Sequence, residues 1–240
     1  FFYVLFQILI LLMTVYAIGS EIKFNTAQEW LTTARGNILT TVIGKLLPYT
    51  FIFSVIGILA NYILYGVVHI PFHGSLLMMN LMTLIFIIAT QALAVFIFSI
   101  FIISIVSMIG SLGATLSGVT FPVTSMYPPV HAASYLFPVR HFTEISQSMI
   151  YFDSGFGYYW QSAAILLLFP LLALLILPRL RHWILKDTVE EDSAPIHSTA
   201  YSSSIATIIF REWRAISTNA AILLVLIGGI FAYGLLYNLM

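Results

Sequence analysis

The chain has 240 residues, 60% of them hydrophobic and 8% charged, with nine Lys+Arg balancing nine Asp+Glu and no Cys. Soluble domains carry about 25% charged residues, so a water-soluble globular fold is excluded, and without Cys so are disulfides and thiolate metal sites. Zero net charge offers no attraction for nucleic acid.

The charges are bunched. Residues 1–20, 46–139, 154–178 and 215–240 contain no Asp, Glu, Lys or Arg, and such runs belong in a bilayer, where roughly 20 apolar residues cross about 30 Å of hydrocarbon. The first run, 1–19, reads as a true span because it lacks the basic leader and small-residue cleavage site of a signal peptide. The chain begins with Phe and stops at Met240 straight after an apolar run, and is expected to be a fragment of a longer protein. After the first span, Phe24, Ala27, Leu31, Ala34 and Ile38 recur at helical spacing opposite Asn25, Gln28, Glu29, Thr32 and Arg35, which predicts an amphipathic helix. Two readings of it stand: a helix resting on the membrane surface, or a coupling helix inserted into a partner's cleft. Trp30 beside a charged pair suits the second.

The run 46–139 is too long for one helix. Pro71, with His69, His73 and Gly74, marks one turn, and Ser99, Ser104 and Ser107 favour another near 100–104, giving spans of about 46–66, 76–99 and 104–121. Gly110, Ala114 and Gly118 form a small-xxx-small seam for close helix packing. Asn61, Asn80 and Gln91 read as interhelical hydrogen-bond partners ahead of substrate ligands. No charged residue falls inside these spans, which argues against a proton or ion relay.

The next stretch, SGVTFPVTSMYPPVHAASYLFPVRHF, is too apolar for a solvated loop, yet Pro122, Pro128, Pro129 and Pro138 forbid one continuous helix. It is expected to dip back into the membrane as short helices, where protein or a water-lined cavity satisfies its backbone. Arg140 and Glu144 stand i,i+4 at its exit, either as a structural pair or as an outer substrate gate together with Pro122, Pro128 and Pro138. A span over 160–178 follows, then the polar, Ser-rich linker KDTVEEDSAPIHSTAYSSS. Beyond it Ile205, Ile209, Trp213 and Ile216 stripe one face opposite Arg211 and Arg214, the pattern of an interfacial helix, before a last span over 218–237. No Met lies between Met149 and Met240, so the part after the linker is joined in one chain to what precedes it.

Basic residues are retained in the cytoplasm. Lys23, Arg35 and Lys45 lie between the first two spans, and Arg179, Arg181, Lys186, Arg211 and Arg214 between the last two, so both connections are expected inside, with 67–75 and 122–159 outside. Catalytic patterns are missing. Gly44-Lys45 fails as a phosphate loop because Leu46 follows the Lys, no HExxH or GxSxG occurs, and His69 and His73 are separated by Pro71.

The run EIKFNTAQEWLTTARGNILTTVIGKLLPYT resembles the cytoplasmic segment of ABC-2 type transporter permeases, with Asn25 in place of the usual Gly before Thr26. LSGVTFPVTSMYPPVHAASYLFPVRHF is similar to the family's Ser-Gly, Phe-Pro, Met-Pro and Leu-Phe-Pro series before its last span. IIFREWRAISTNAAILLVLIGGIFAYGLLYN resembles the start of another such permease. The resemblance implies an all-α membrane protein of about six transmembrane helices with a cytoplasmic coupling helix and a proline-rich re-entrant outer segment. It divides the chain into 1–185, the second to sixth spans of a first module; 186–204, a linker; and 205–240, the interfacial helix and first span of a second module. The implied setting is the bacterial inner membrane. The implied work is ATP-driven export of a hydrophobic or amphipathic small molecule, with Phe24, Glu29, Trp30, Leu31 and Arg35 coupling to a separate ATP-binding subunit. ATP would be bound and hydrolysed there, leaving this chain a non-enzymatic subunit with no cofactor of its own. A second permease module, a periplasmic adaptor and membrane lipids are the other implied partners. Two rival readings remain: a permease-like protein that passes force or a signal to an envelope partner, and a membrane-embedded lipid-modifying enzyme, for which no converging acid, base or metal groups are found.

Overall fold

The computed structural model describes residues 2–23, 26–100, 110, 112–119, 122–151 and 156–189, together with Ile209 and Trp213. Helix α1 runs Phe2–Lys23, α2 Ala27–Thr33, α3 Ile38–Asn61, α4 Leu76–Ile100, α5 Pro128–Ser134, α6 Pro138–Tyr151 and α7 Phe156–Val189, and no strand occurs among the described residues. Among the described residues four stretches are long and apolar enough to cross a membrane: Phe2–Ile22, Ile38–Val67, Leu76–Ile100 and Phe156–His182. This is an all-α, multi-pass membrane protein. Of the six expected spans, half of the one over 104–121, and the whole of the one over 218–237, lies outside the described residues.

Helix α4 is the hub, packing against α1, α3, α6 and α7. Its buried positions, among them Met79, Met82, Phe86, Ala89 and Thr90, go nearly all the way round, as expected of a helix surrounded by others. The buried side chains divide into two clusters. One, at the end where Arg35, Lys45, Arg179 and Arg181 gather (the basic end), encloses Leu11, Val15, Ile18, Trp30, Leu180 and Ile184. The other, at the far end, encloses Phe6, Phe53, Phe86, Phe142, Tyr159 and Phe169.

Several boundaries differ from expectation for identifiable reasons. The amphipathic stripe does not run unbroken from Phe24 to Ile38: Arg35 and Gly36 take left-handed backbone (φ 56° and 75°), which ends α2 after seven residues. Asn37 then caps a new helix, its side-chain oxygen accepting from the Leu39 N–H at 3.1 Å. Thus α3 starts eight residues before the expected 46, and Lys45 lies two turns inside a span read as uncharged. At its other end α3 widens into a π-helical turn, Tyr62–Val67, before His69 in left-handed backbone (φ 54°). Helix α7, at 34 residues, extends beyond both ends of the expected 160–178 span.

The proline-rich segment falls into short pieces as its prolines require. Pro122 precedes a 3₁₀ turn at Val123–Ser125, and Pro128 and Pro138 each open a helix, the position where a missing N–H costs nothing. The expected seam is only partly helical. Gly110 and residues 112–115 are helical, but 116–119 turn and Gly118 has φ 82°, so it lies beyond the helix and serves the turn. The tightest approach in this stretch is at Gly113, where a Cβ would stand 2.6 Å from Gln7 Nε2 and 2.9 Å from Phe137 Cδ1; at Gly118 it would stand 2.8 Å from Val123 Cγ2. Gly110 faces Leu11 and Ile8 on α1, and Ala114 packs on the far-end cluster.

Candidate functional site

Two sets of polar groups stand out from the apolar bundle, one at each end. At the basic end, α2 lies against α3 and the extended end of α7. Its faces are sharply divided: Ala27, Trp30 and Leu31 are buried, whereas Glu29 and Thr32 are exposed, as is Arg35 just beyond its end. Trp30, expected to offer its ring to a partner, is 0% exposed within this chain. The indole belongs to the same buried cluster as Leu180 and Ile184 of α7 and Ile18 of α1, because the stripe that makes α2 amphipathic is satisfied by the bundle itself. Its indole N–H has no hydrogen-bond partner among the described residues. Phe24 lies outside them.

Beneath Trp30 sits a buried ion pair that the sequence does not announce. Lys45 Nζ lies 2.5 Å from Glu21 Oε1, and both side chains are buried, at 3% and 7% exposure. The second carboxylate oxygen of Glu21 accepts from Thr26 Oγ1 at 2.5 Å, and the Glu21 carbonyl accepts from the Thr26 N–H at 2.9 Å. The ammonium is 5.9 Å from the centroid of the Trp30 ring, within cation–π range. One carboxylate therefore fastens the end of α1, the start of α2 and the first turns of α3. The signal that finds this pair in a sequence is one acid and one base at the same-side ends of consecutive spans.

At the far end the expected interhelical amides find each other. Tyr3 donates to Asn61 Oδ1, and Asn61 Nδ2 donates to Asn80 Oδ1 at 2.7 Å and to Thr83 Oγ1 at 3.2 Å. Deeper in the bundle Thr50 donates to Gln91 Oε1 at 2.7 Å. Gln7, a lone amide in the first apolar run, has no pattern in the sequence to mark it. Its Oε1 accepts from the Val139 N–H at 2.7 Å, satisfying one free amide at the start of α6.

The candidate gate residues are only partly brought together. Arg140 Nη1 is 3.6 Å from Glu144 Oε2, and the guanidinium lies 5.9 Å from the Tyr135 ring. Glu144, half exposed, also accepts from Ser162 Oγ at 2.9 Å. Pro122 and Pro128 line neither contact; both are exposed. Beside Arg140, His141 is buried, its Nε2–H donating to the Tyr135 carbonyl at 3.0 Å. Burial holds its pKa below the ordinary imidazole value, the Tyr135 bond opposing and the Arg140 charge assisting the shift. The 68–75 connection is pinned to the end of α6, the Gly74 N–H donating to the Met149 carbonyl at 3.0 Å and His73 Nδ1 to that of Ile150 at 2.9 Å. Among the described residues no three His, Asp or Glu side chains gather as a metal site.

At the basic end the buried charges of Glu21 and Lys45 neutralise each other, and at the far end Asn61 is shared among Tyr3, Asn80 and Thr83. What the chain presents is a helical bundle with a short, half-exposed helix fixed to one end. Comparison with known proteins agrees. A curated relative, the probable multidrug ABC transporter permease YbhS of Escherichia coli K12, is 26% identical over 136 residues, covering 51% of this chain and 36% of the relative. The same permease of E. coli O157:H7 matches equally. The chain thus spans about a third of the length of the curated relatives it matches. No solved structure matches. The profile described as "ABC-2 family transporter protein" matches residues 1–177, about three quarters of the chain, and the protein belongs to that family.

Proposed function

We propose that this chain is the membrane-spanning part of an ATP-driven exporter that moves a hydrophobic or amphipathic small molecule out of the cytoplasm or the inner leaflet of a bacterial inner membrane. The observation that carries this reading is the two-faced α2, whose apolar side is buried in the bundle while Glu29, Thr32 and Arg35 face outward at the basic end. By the excess of Lys and Arg this end is cytoplasmic. A separate subunit binds and hydrolyses ATP there and pushes on the exposed side of α2, switching the bundle between inward- and outward-open states. Within this scheme Glu29 and Arg35 make the contact, and Trp30 and Leu31 pass the displacement inward. Arg140 and Glu144 close the outer exit. A second permease module, supplied after the 186–204 linker or by another copy, completes the pathway, and a periplasmic adaptor receives the cargo. The permease family and the multidrug name of the relatives support transport in preference to lipid chemistry.

The test is the full-length protein reconstituted with its ATP-binding subunit. Glu29→Arg and Arg35→Glu should reduce substrate-stimulated ATP hydrolysis at least about fivefold, the scale of losing an interface contact worth ~1 kcal/mol, with membrane insertion intact. Normal stimulation in both variants would make α2 a membrane-surface element and remove the mechanical basis of the exporter reading.

A further inference from the structure

The Glu21–Lys45 pair calls for a reason beyond stability. Withdrawing two charges from water costs several kcal/mol per ion, and apolar replacement of a buried pair is often neutral or stabilising. What such a pair supplies, and apolar packing does not, is direction: each oxygen of Glu21 has an assigned partner, Lys45 for one and Thr26 for the other. The indole of Trp30 closes over the ammonium, so α2 cannot lift or slide without disturbing a charge that has no water to fall back on.

Prolines border the same region on two of the long helices. Pro48, buried in α3 three residues beyond Lys45, has no N–H for the Gly44 carbonyl, and Pro178 in α7 has none for that of Leu174. Helices bend at such points. Beyond Pro178, Leu180 and Ile184 are buried in the cluster that holds Trp30. The basic end is therefore packed within itself, tied by an ion pair, and joined to the rest of α3 and α7 through weakened turns.

We infer that Glu21 and Lys45 are positioning residues that weld α2 to the ends of α1 and α3, so that a push on α2 moves the basic end as one block pivoting at Pro48 and Pro178. This rests on the exporter reading for its consequence but not for its geometry, and the two are separable by experiment. Spin labels at Thr32 on α2 and Tyr16 on α1, both exposed, report the weld in the full-length protein in nanodiscs without any partner. The wild-type background should give one narrow distance. The double variant Glu21→Gln/Lys45→Met, which leaves no unpaired charge, should give a broad distribution, and the swap Glu21→Lys/Lys45→Glu should narrow it again.

In proteoliposomes with the ATP-binding subunit, the neutral double variant should assemble and hydrolyse ATP but move at least about tenfold less of a lipophilic bisbenzimide dye per ATP, with the swap recovering most of it. A purely structural pair would change yield or melting temperature and leave that ratio alone. A narrow distance in the neutral variant, or an unchanged dye-to-ATP ratio, overturns the proposal. Should the neutral variant fail to accumulate, Thr26→Val removes one hydroxyl and keeps the ion pair. It should broaden the same distance and lower the same ratio, and a narrow distance or an unchanged ratio there overturns the proposal equally. A wild-type complex that hydrolyses ATP without moving dye overturns the exporter reading instead, and the distance measurement still decides the weld.

Discussion

The two ends of the bundle are held by different chemistry. At the far end rings interlock: Phe142 stacks on Phe86 at 4.5 Å between centroids and meets Tyr3 edge-on at 4.6 Å, while Phe6 meets Phe53 edge-on at 5.8 Å. At the basic end the buried cluster is mainly Leu, Ile, Val and Ala around Trp30. Aromatic pairs prefer particular orientations, whereas aliphatic side chains are indifferent to direction. The far end therefore takes its geometry from its core, and the basic end has to take it from its polar groups, which explains why the buried ion pair and its Thr26 clasp are found there. Neutral amides suffice where the rings already fix the packing.

The largest expected break of this contrast is Trp30→Ala. It removes the one large ring that α2 buries, at a cost of about 3–5 kcal/mol in stability, read by thermal unfolding in detergent or nanodiscs. Labelling of a cysteine placed at Ala27, buried on α2, should rise in the same variant as α2 loosens, while labelling of one at Ser134, buried at the far end, should not change. A smaller effect is expected from Gly113→Ala. The added methyl meets Gln7 and Phe137 below contact distance, and overpacking of this kind costs about 1–3 kcal/mol, here confined to the far end. The smallest is a response to acid that sharpens the contrast. Because burial lowers the pKa of His141 from its ordinary value of 6.5, the folded state favours the neutral ring. Its stability is full above that ordinary value and falls as pH drops below it toward the folded pKa. Melting curves across this window should show the loss in wild type and a flatter profile in His141→Gln; identical profiles would show that His141 does not titrate with folding.

The prolines and the helical stripe were readable because their effects are local. A residue without an N–H belongs at a helix start wherever the chain goes next, and so Pro128 and Pro138 open helices. The stripe from Ala27 to Ala34 announced an amphipathic helix but not its audience, since burial by the bundle and burial by a partner demand the same pattern, and Trp30 turned inward. Lys45 misled because a lone Lys next to an apolar run reads as a loop residue. The group that makes its burial tolerable is Glu21, 24 positions earlier, and no periodicity links the two. Gly110, Ala114 and Gly118 share a spacing, yet spacing carries no information on where the helix stops. Gly113 gave no sign, since its neighbour Phe137 comes from a distant short segment and Gln7 from the first helix.

Helix α7 has a further consequence, which concerns the lipid around the protein. From Tyr158 and Trp160, both exposed near its start, to Arg179 and Arg181, exposed near its end, the side chains suited to headgroups stand 21 residues apart, about 32 Å at 1.5 Å per residue. That is close to the hydrocarbon thickness of a typical bilayer, about 30 Å. Aromatic rings and arginines anchor a helix at opposite interfaces, so α7 works as a ruler with marks at both ends. A thicker bilayer cannot be met by sliding the chain along the membrane normal, because either mark would then sink into oil. The lipid must thin locally around α7, and the protein sets the depth of its own annulus.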